Sequence, residues 1–278
     1  MFKPLIALVA LTASTSAFAQ IGPEIAYAKQ SGSGFEIYLV NSNGTGLVRL
    51  YRGAAKKLIA HLDIKPGGGE IAFVEGNALK TLTYNNSGVA TGAPTIINST
   101  CYNNTVDYSP DGSSLLYTAS CNQVGQVLRF PGTGDPLAVT GFLSSARWLR
   151  DGLGFLYVAN AAQPGTTELR KRMFADGAET VLLPTEGGKF DVSRSGSSLL
   201  VTNGQGYTSE YSIADGSLTS TPNFITGTDG HYSPTDDRIL YETRHVASGD
   251  YLIIRQSSGS ISRLTGKGEY SAQDWRPN

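Results

Sequence analysis

Val106–Tyr117 reads V-D-Y-S-P-D-G-S-S-L-L-Y, a strand, a tight turn and a second strand, and the pattern returns down the chain. Ser109-Pro110-Asp111-Gly112 suits a type I turn: Pro presets φ at the second position and Gly ends the turn in the left-handed region. That combination predicts a three-residue hairpin loop with a bulge. Related stretches are Asp63–Phe73, Arg147–Tyr157, Asp191–Val201 and His231–Tyr241. In the last of these Asp236 holds the Gly place, which Asp tolerates better than most residues. The spacing of about 40–44 residues is that of propeller blades, longer than a leucine-rich or ankyrin repeat.

The two ends hold complementary halves of the motif. Asp274-Trp275-Arg276-Pro277-Asn278 is a first half without a second, and Gly22–Tyr27 is a second half without a first. Joined, they complete a further copy and close a ring of sheets with no long open edge. A linear solenoid would want capping repeats instead. The expectation is an all-β, six-bladed β-propeller with four-stranded blades, its ring closed by pairing the N- and C-terminal strands. Each repeat continues from the shared hairpin into a second one, with turns at Asn41–Gly44, Asn85–Gly88, Pro131–Gly134, Ala175–Gly177, Ala214–Gly216 and Ser257–Gly259. The second strand of each repeat is apolar at consecutive positions, as in Leu115-Leu116-Tyr117, so both of its faces must be buried.

Met1–Ala19 reads as a signal peptide: Lys3 in the n-region, Leu5–Leu11 as a short apolar stretch, and Ala17-Phe18-Ala19 as a small-x-small cleavage site. It is too short, and too polar after Thr12, for a spanning helix. Residues 20–278 are then one propeller domain of about 43 residues per blade. No Cys stands at the cleavage point to carry a lipid, so the mature protein is expected to be exported without an anchor. A net charge of −1 offers nucleic acid no electrostatic footprint. The chain has two cysteines. Pairing Ser109 with Ser113 across the loop puts Cys101 opposite Cys121, close enough for a disulfide in an oxidising compartment. The alternative is two buried free thiols.

Asp107-Tyr108-Ser109-Pro110-Asp111-Gly112 and Tyr232-Ser233-Pro234, each leading into an aliphatic-x-aromatic strand, resemble the repeats of the TolB-like (WD-like) propeller family. The similarity spans the propeller part only. It implies a periplasmic protein that works with the Tol-Pal envelope system and binds an envelope protein or lipoprotein through its propeller. Such repeats also occur in peptidases, whose nucleophile lies on a separate catalytic domain, and in lyases that hold a divalent metal among histidines.

Motifs for chemistry are sparse. The sequence has no G-x-S-x-G elbow, P-loop, H-E-x-x-H or cysteine-based zinc spacing. Ser193 is the turn serine of its repeat. Neither a catalytic residue nor a cofactor is expected. The candidate site is the first residue of each motif copy: Asp63, Asp107, Arg147, Asp191, His231 and Asp274, one per inner strand, with His61 on the same strand face as Asp63. They would form a level around the ring that could bind a ligand or a metal. A plainer reading has each Asp accept backbone N–H groups around its own turn. Arg147 and His231 break the repetition and are the better functional candidates; His245 reads as a loop residue.

Three functions remain open: a monomeric, non-catalytic scaffold that binds an envelope protein, a metal-dependent or glycan-active lyase-like propeller, and a carbohydrate-binding module. An apolar face, a pocket of converging His and carboxylates, or a groove of stacked aromatics would separate them.

Overall fold

A computed structural model describes residues 23–275 apart from 123, 133–136, 141–142, 164–165, 186–188, 204, 206, 221–226, 235–237, 244–249 and 269. The stretch expected to be a signal peptide, Asp236 and His245 lie outside the described residues. The strands form six four-stranded antiparallel sheets. Blade 2 is Ile59–Ile64, Glu70–Glu75, Ala78–Thr83 and Thr95–Asn98; blade 3 is Tyr102–Tyr108, Leu115–Cys121, Val124–Phe130 and Leu137–Thr140. Blade 4 is Leu143–Trp148, Gly154–Asn160, Thr167–Met173 and Glu179–Thr185; blade 5 is Lys189–Val192, Ser198–Thr202, Thr208–Ser212 and Leu218–Ser220. Blade 6 is Gly227–Tyr232, Ile239–Thr243, Tyr251–Arg255 and Ile261–Arg263. Blade 1 takes its first strand from the far end of the chain: Tyr270–Trp275 pairs with Ile25–Ser31, which is followed by Gly34–Val40 and Val48–Arg52. The first strand of each blade touches the first strands of its neighbours, which closes the ring around a central channel. Among the described residues no helix is long and apolar enough to cross a membrane.

Consecutive apolar residues in the second strands are explained by burial on both faces. Ile71 and Phe73 pack with Ile37 and Leu39 of blade 1, whereas Ala72 and Val74 pack with Val106 and Tyr108 of blade 3. Likewise Leu156 and Val158 face Val192 and Leu199 of blade 5, while Phe155 and Tyr157 join Leu116 and Val127 of blade 3. The core is thus a set of clusters between blades, and each fully buried Leu, Ile or Phe contributes about 1.5–3 kcal/mol.

The defining hairpin differs from expectation in one detail. Ser109 N–H donates to Ser114 O, not Ser113, so the loop holds one residue more than expected, and Gly112 keeps its left-handed φ of 68°. Gly152 and Gly196 repeat it at 70° and 72°. Asp111 accepts bonds from the Ser109 hydroxyl and from the Ser113 N–H and hydroxyl, and these hold its pKa down at about 2. The shifted register is restored further along, because the strand pairing slips between Asn103 and Thr105 and leaves Asn104 as a bulge. Cys101 therefore does face Cys121, and the two form a disulfide with Cα atoms 5.0 Å apart.

Candidate binding site at the channel mouth

All seven candidate residues lie on the innermost strands. Side chains alternate along a strand, so the first residue of every motif copy shares the inward face with the residue two places before it. Around the ring this gives one level of Asp274, Asp63, Asp107, Arg147, Asp191 and His231. A second level, nearer the strand starts, holds His61, Thr105, Ser145, Lys189 and Asp229.

The first level works across blade junctions. Asp274 accepts the Ile64 N–H at 2.9 Å, Asp107 the Trp148 N–H at 2.6 Å, and Asp191 the Tyr232 N–H at 2.8 Å. Asp63 accepts the Tyr108 N–H in the same way. Each aspartate therefore clasps the residue after the equivalent position in the next blade. That corrects the expectation that these carboxylates serve their own turns; Asp111 and Asp151 do that instead. The physical reason is direction, since a side chain on the inward face points at the neighbouring inner strand and away from its own loop.

Arg147 has no acceptor and neither ring nitrogen of His231 makes such a bond, and the two junctions they would clasp are held otherwise. Between blades 4 and 5, Arg150 donates to the Val192 and Ser193 carbonyls at 2.7 and 3.3 Å. Between blades 6 and 1, the Gln273 amide donates to Asp229 O at 2.5 Å. Arg147 is 4% exposed and pairs with Asp107 at 2.9 Å. Burial alone would lower its pKa, but Asp107 and the other carboxylates of the ring outweigh that and raise it further.

His231, 2% exposed, sits between Asp229 at 3.6 Å from Nε2 and Asp274 at 3.8 Å from Nδ1, with neither ring nitrogen hydrogen-bonded. Burial works against its protonation, but the Asp229 carboxylate prevails and raises its pKa. His61 goes the other way: burial, then the Arg147 charge, holds it well below the usual value. Asp63 is pushed well up, first by burial and then by Asp274 and Asp107 beside it.

Above this level lies a cavity of about 190 Å³, lined by Ala60, His61, Asn104, Thr105, Ser144, Ser145, Arg147, Lys189, Phe190 and Asp229. Its wall is built from irregularities. Pairing slips between Ile59 and His61, Asn103 and Thr105, Leu143 and Ser145, and Thr228 and His231. The extra residues Ala60, Asn104 and Ser144, and Asp229 from the pair Asp229-Gly230 set against Tyr241, all line the cavity, as bulges next to functional sites tend to do. Asp229 has φ 63°, a left-handed backbone uncommon for a non-glycine residue. Lys189 Nζ holds its carboxylate at 2.8 Å. Burial would raise the pKa of Asp229, but Lys189 and His231 overcome this and hold it well below the ordinary range.

Asn104, Ser144, Lys189 and Asp229 carry no motif, and the sequence pattern passes over them. The available signal was the offset of two that pairs His61 with Asp63, which also reaches Lys189 and Asp229. Among the described residues no group of three or more His, Cys, Asp or Glu side chains is placed to hold a metal ion.

No protein-family model matches the sequence, and no curated protein does either. Solved structures match at the level of fold. The ring superposes on TolB from Acinetobacter baumannii with a TM-score of 0.73 at 18% identity, covering 93% of this chain and 68% of that one. A putative TolB from Agrobacterium tumefaciens gives 0.65 at 15% identity, covering 92% and 93%. A chain of the nidogen/laminin complex gives 0.66 at 9% identity, covering 91% and 98%. The class is therefore a six-bladed β-propeller. Within it, the fold of this chain is that of the TolB-like propellers.

Proposed function

We propose that this chain is an exported TolB-like propeller that acts as a monomeric, non-catalytic protein-binding scaffold in the bacterial cell envelope, after removal of its leader near Ala19. The observation that carries this reading is the division of labour in the channel. The repeated carboxylates clasp neighbouring blades, while the mouth above them presents hydrogen-bonding groups that no repeat requires. The likeness to TolB, and to a chain of the nidogen/laminin complex, supports binding to another protein. The Cys101–Cys121 bond suits an oxidising compartment.

The test is to immobilise the chain from Gln20 onwards, pass an envelope extract over it with and without a chelator, and quantify the retained proteins. One envelope protein or lipoprotein should be held in near-stoichiometric amount, independently of the chelator, and released by excess free propeller. Stoichiometric metal on the purified chain together with turnover of a glycan, and no retained protein, would sink this reading in favour of a lyase.

A further inference from the structure

We infer that the cavity at the channel mouth is a carboxylate-binding site that receives an acidic side chain of the protein partner. The inference rests on the protein-binding reading above and adds which chemical group enters the ring.

The donors come first. Arg147 spends one nitrogen on Asp107, and its Nε, buried in the wall, has no hydrogen-bond partner. Ser144 Oγ, placed on the wall by its bulge, is also buried without a partner. Buried donors left unmatched are costly, so a ligand that satisfies them regains that energy. His61 Nδ1 accepts from the Val106 N–H at 3.5 Å, and that tautomer leaves the ring's proton on Nε2, a donor and not an acceptor. Lys189 is half-exposed at the rim.

Charge points the same way. The single carboxylate lining the cavity, Asp229, is already matched by Lys189 and faces His231. Two cations line it, Arg147 and Lys189, against that one carboxylate. The carboxylates of the level below each accept a backbone N–H and are engaged at their junctions. A guanidinium with an unmatched Nε–H in a low-dielectric pocket favours a carboxylate, whose charge-assisted bond is the stronger, over a neutral amide of the same shape. The size fits too. A cavity of about 190 Å³ holds roughly six waters at ~30 Å³ each, enough for a Glu or Asp side chain but not for a folded element.

The test is an NMR titration of the isotopically labelled full chain, following the His61 imidazole and Arg147 Nε–H signals. The probes are the capped peptide Ac-Gly-Glu-Gly-NH2, its Gln counterpart, and acetate. The Glu peptide should shift both signals saturably and bind about tenfold more tightly than the Gln peptide. Ser144→Ala and Lys189→Met should each weaken it several-fold while leaving the rest of the spectrum intact. Equal behaviour of the Glu and Gln peptides, or no shift at either residue, would overturn the inference. Acetate binding as tightly as the Glu peptide would overturn the peptide source and leave a site for free small carboxylates. Retention of an envelope protein unaffected by both variants would overturn the inference while the scaffold reading stands. Saturable Glu-peptide binding with no retained protein would instead count against the scaffold reading.

Discussion

At the level of Asp274, Asp63, Asp107 and Asp191 the channel wall repeats; two residues nearer the mouth it reads His61, Thr105, Ser145, Lys189 and Asp229, a different residue type in each of blades 2 to 6. The lower level uses one device four times, a carboxylate that takes the backbone N–H of the next blade. The upper level is set on bulges, and Asp229 keeps a backbone conformation that most residues avoid. Repetition within a ring marks what holds the ring together. Departure from repetition, supported by irregular backbone, marks what the ring presents to something else.

Substitutions should separate the two levels. The largest effect is expected for Asp107→Ala, which removes the clasp on Trp148 and leaves Arg147 buried without its ion-pair partner. A loss of about 3–5 kcal/mol in denaturant unfolding is expected. A loss below about 1 kcal/mol would mean that the clasps are incidental and that the contrast between the levels is false.

Next come the two histidines, one on each level, whose pH dependences should have opposite signs. The lowered pKa of His61 means that the folded state binds fewer protons than the unfolded one below the ordinary value of 6.5. Its contribution is therefore present above that value and lost as pH falls. The raised pKa of His231 gives a contribution present below 6.5 and lost as pH rises through the folded value. Unfolding curves at about pH 5 and pH 8 should show His61→Gln costing more at the higher pH and His231→Gln costing more at the lower. Parallel dependences would merge the two histidines into one environment.

The smallest effect on stability is expected for Lys189→Met at the rim. Its ion pair with Asp229 is half-exposed on the lysine side, and His231 stays beside the more buried Asp229 carboxylate, so the melting transition should correspond to a change of about 1 kcal/mol, well below that of Asp107→Ala. A larger loss would make the mouth part of the scaffold.

Much of the architecture was legible because turns and closure leave residues behind. Ser-Pro-Asp-Gly marks the hairpins, consecutive apolar positions mark strands buried on both faces, and the split motif marks the shared blade. The disulfide was placed correctly although the loop is one residue longer than expected, because the bulge at Asn104 offsets the register by the same amount in the other direction. The inward ring of seven candidates was legible from alternation alone. What those side chains do there was not, since a carboxylate that bonds a backbone N–H some forty residues away has a partner with no side-chain identity. The bulges were equally silent: Ala60, Asn104 and Ser144 are ordinary residues for a strand edge, and only pairing across the hairpin shows them to be extra.

Closing the ring through Tyr270–Trp275 also has a consequence for the order of assembly. The strand that completes blade 1 pairs Trp275 with Ile25, the widest sequence separation among the described strand pairs, so the largest loop-closure entropy among them falls on that pairing. Until then Asp274 cannot clasp Ile64, His231 lacks one of its two flanking carboxylates, and Gln273 cannot reach the Asp229 carbonyl. A chain in which that pairing has not formed would thus carry most of its blades and no finished mouth, and binding competence would report that the ring had closed.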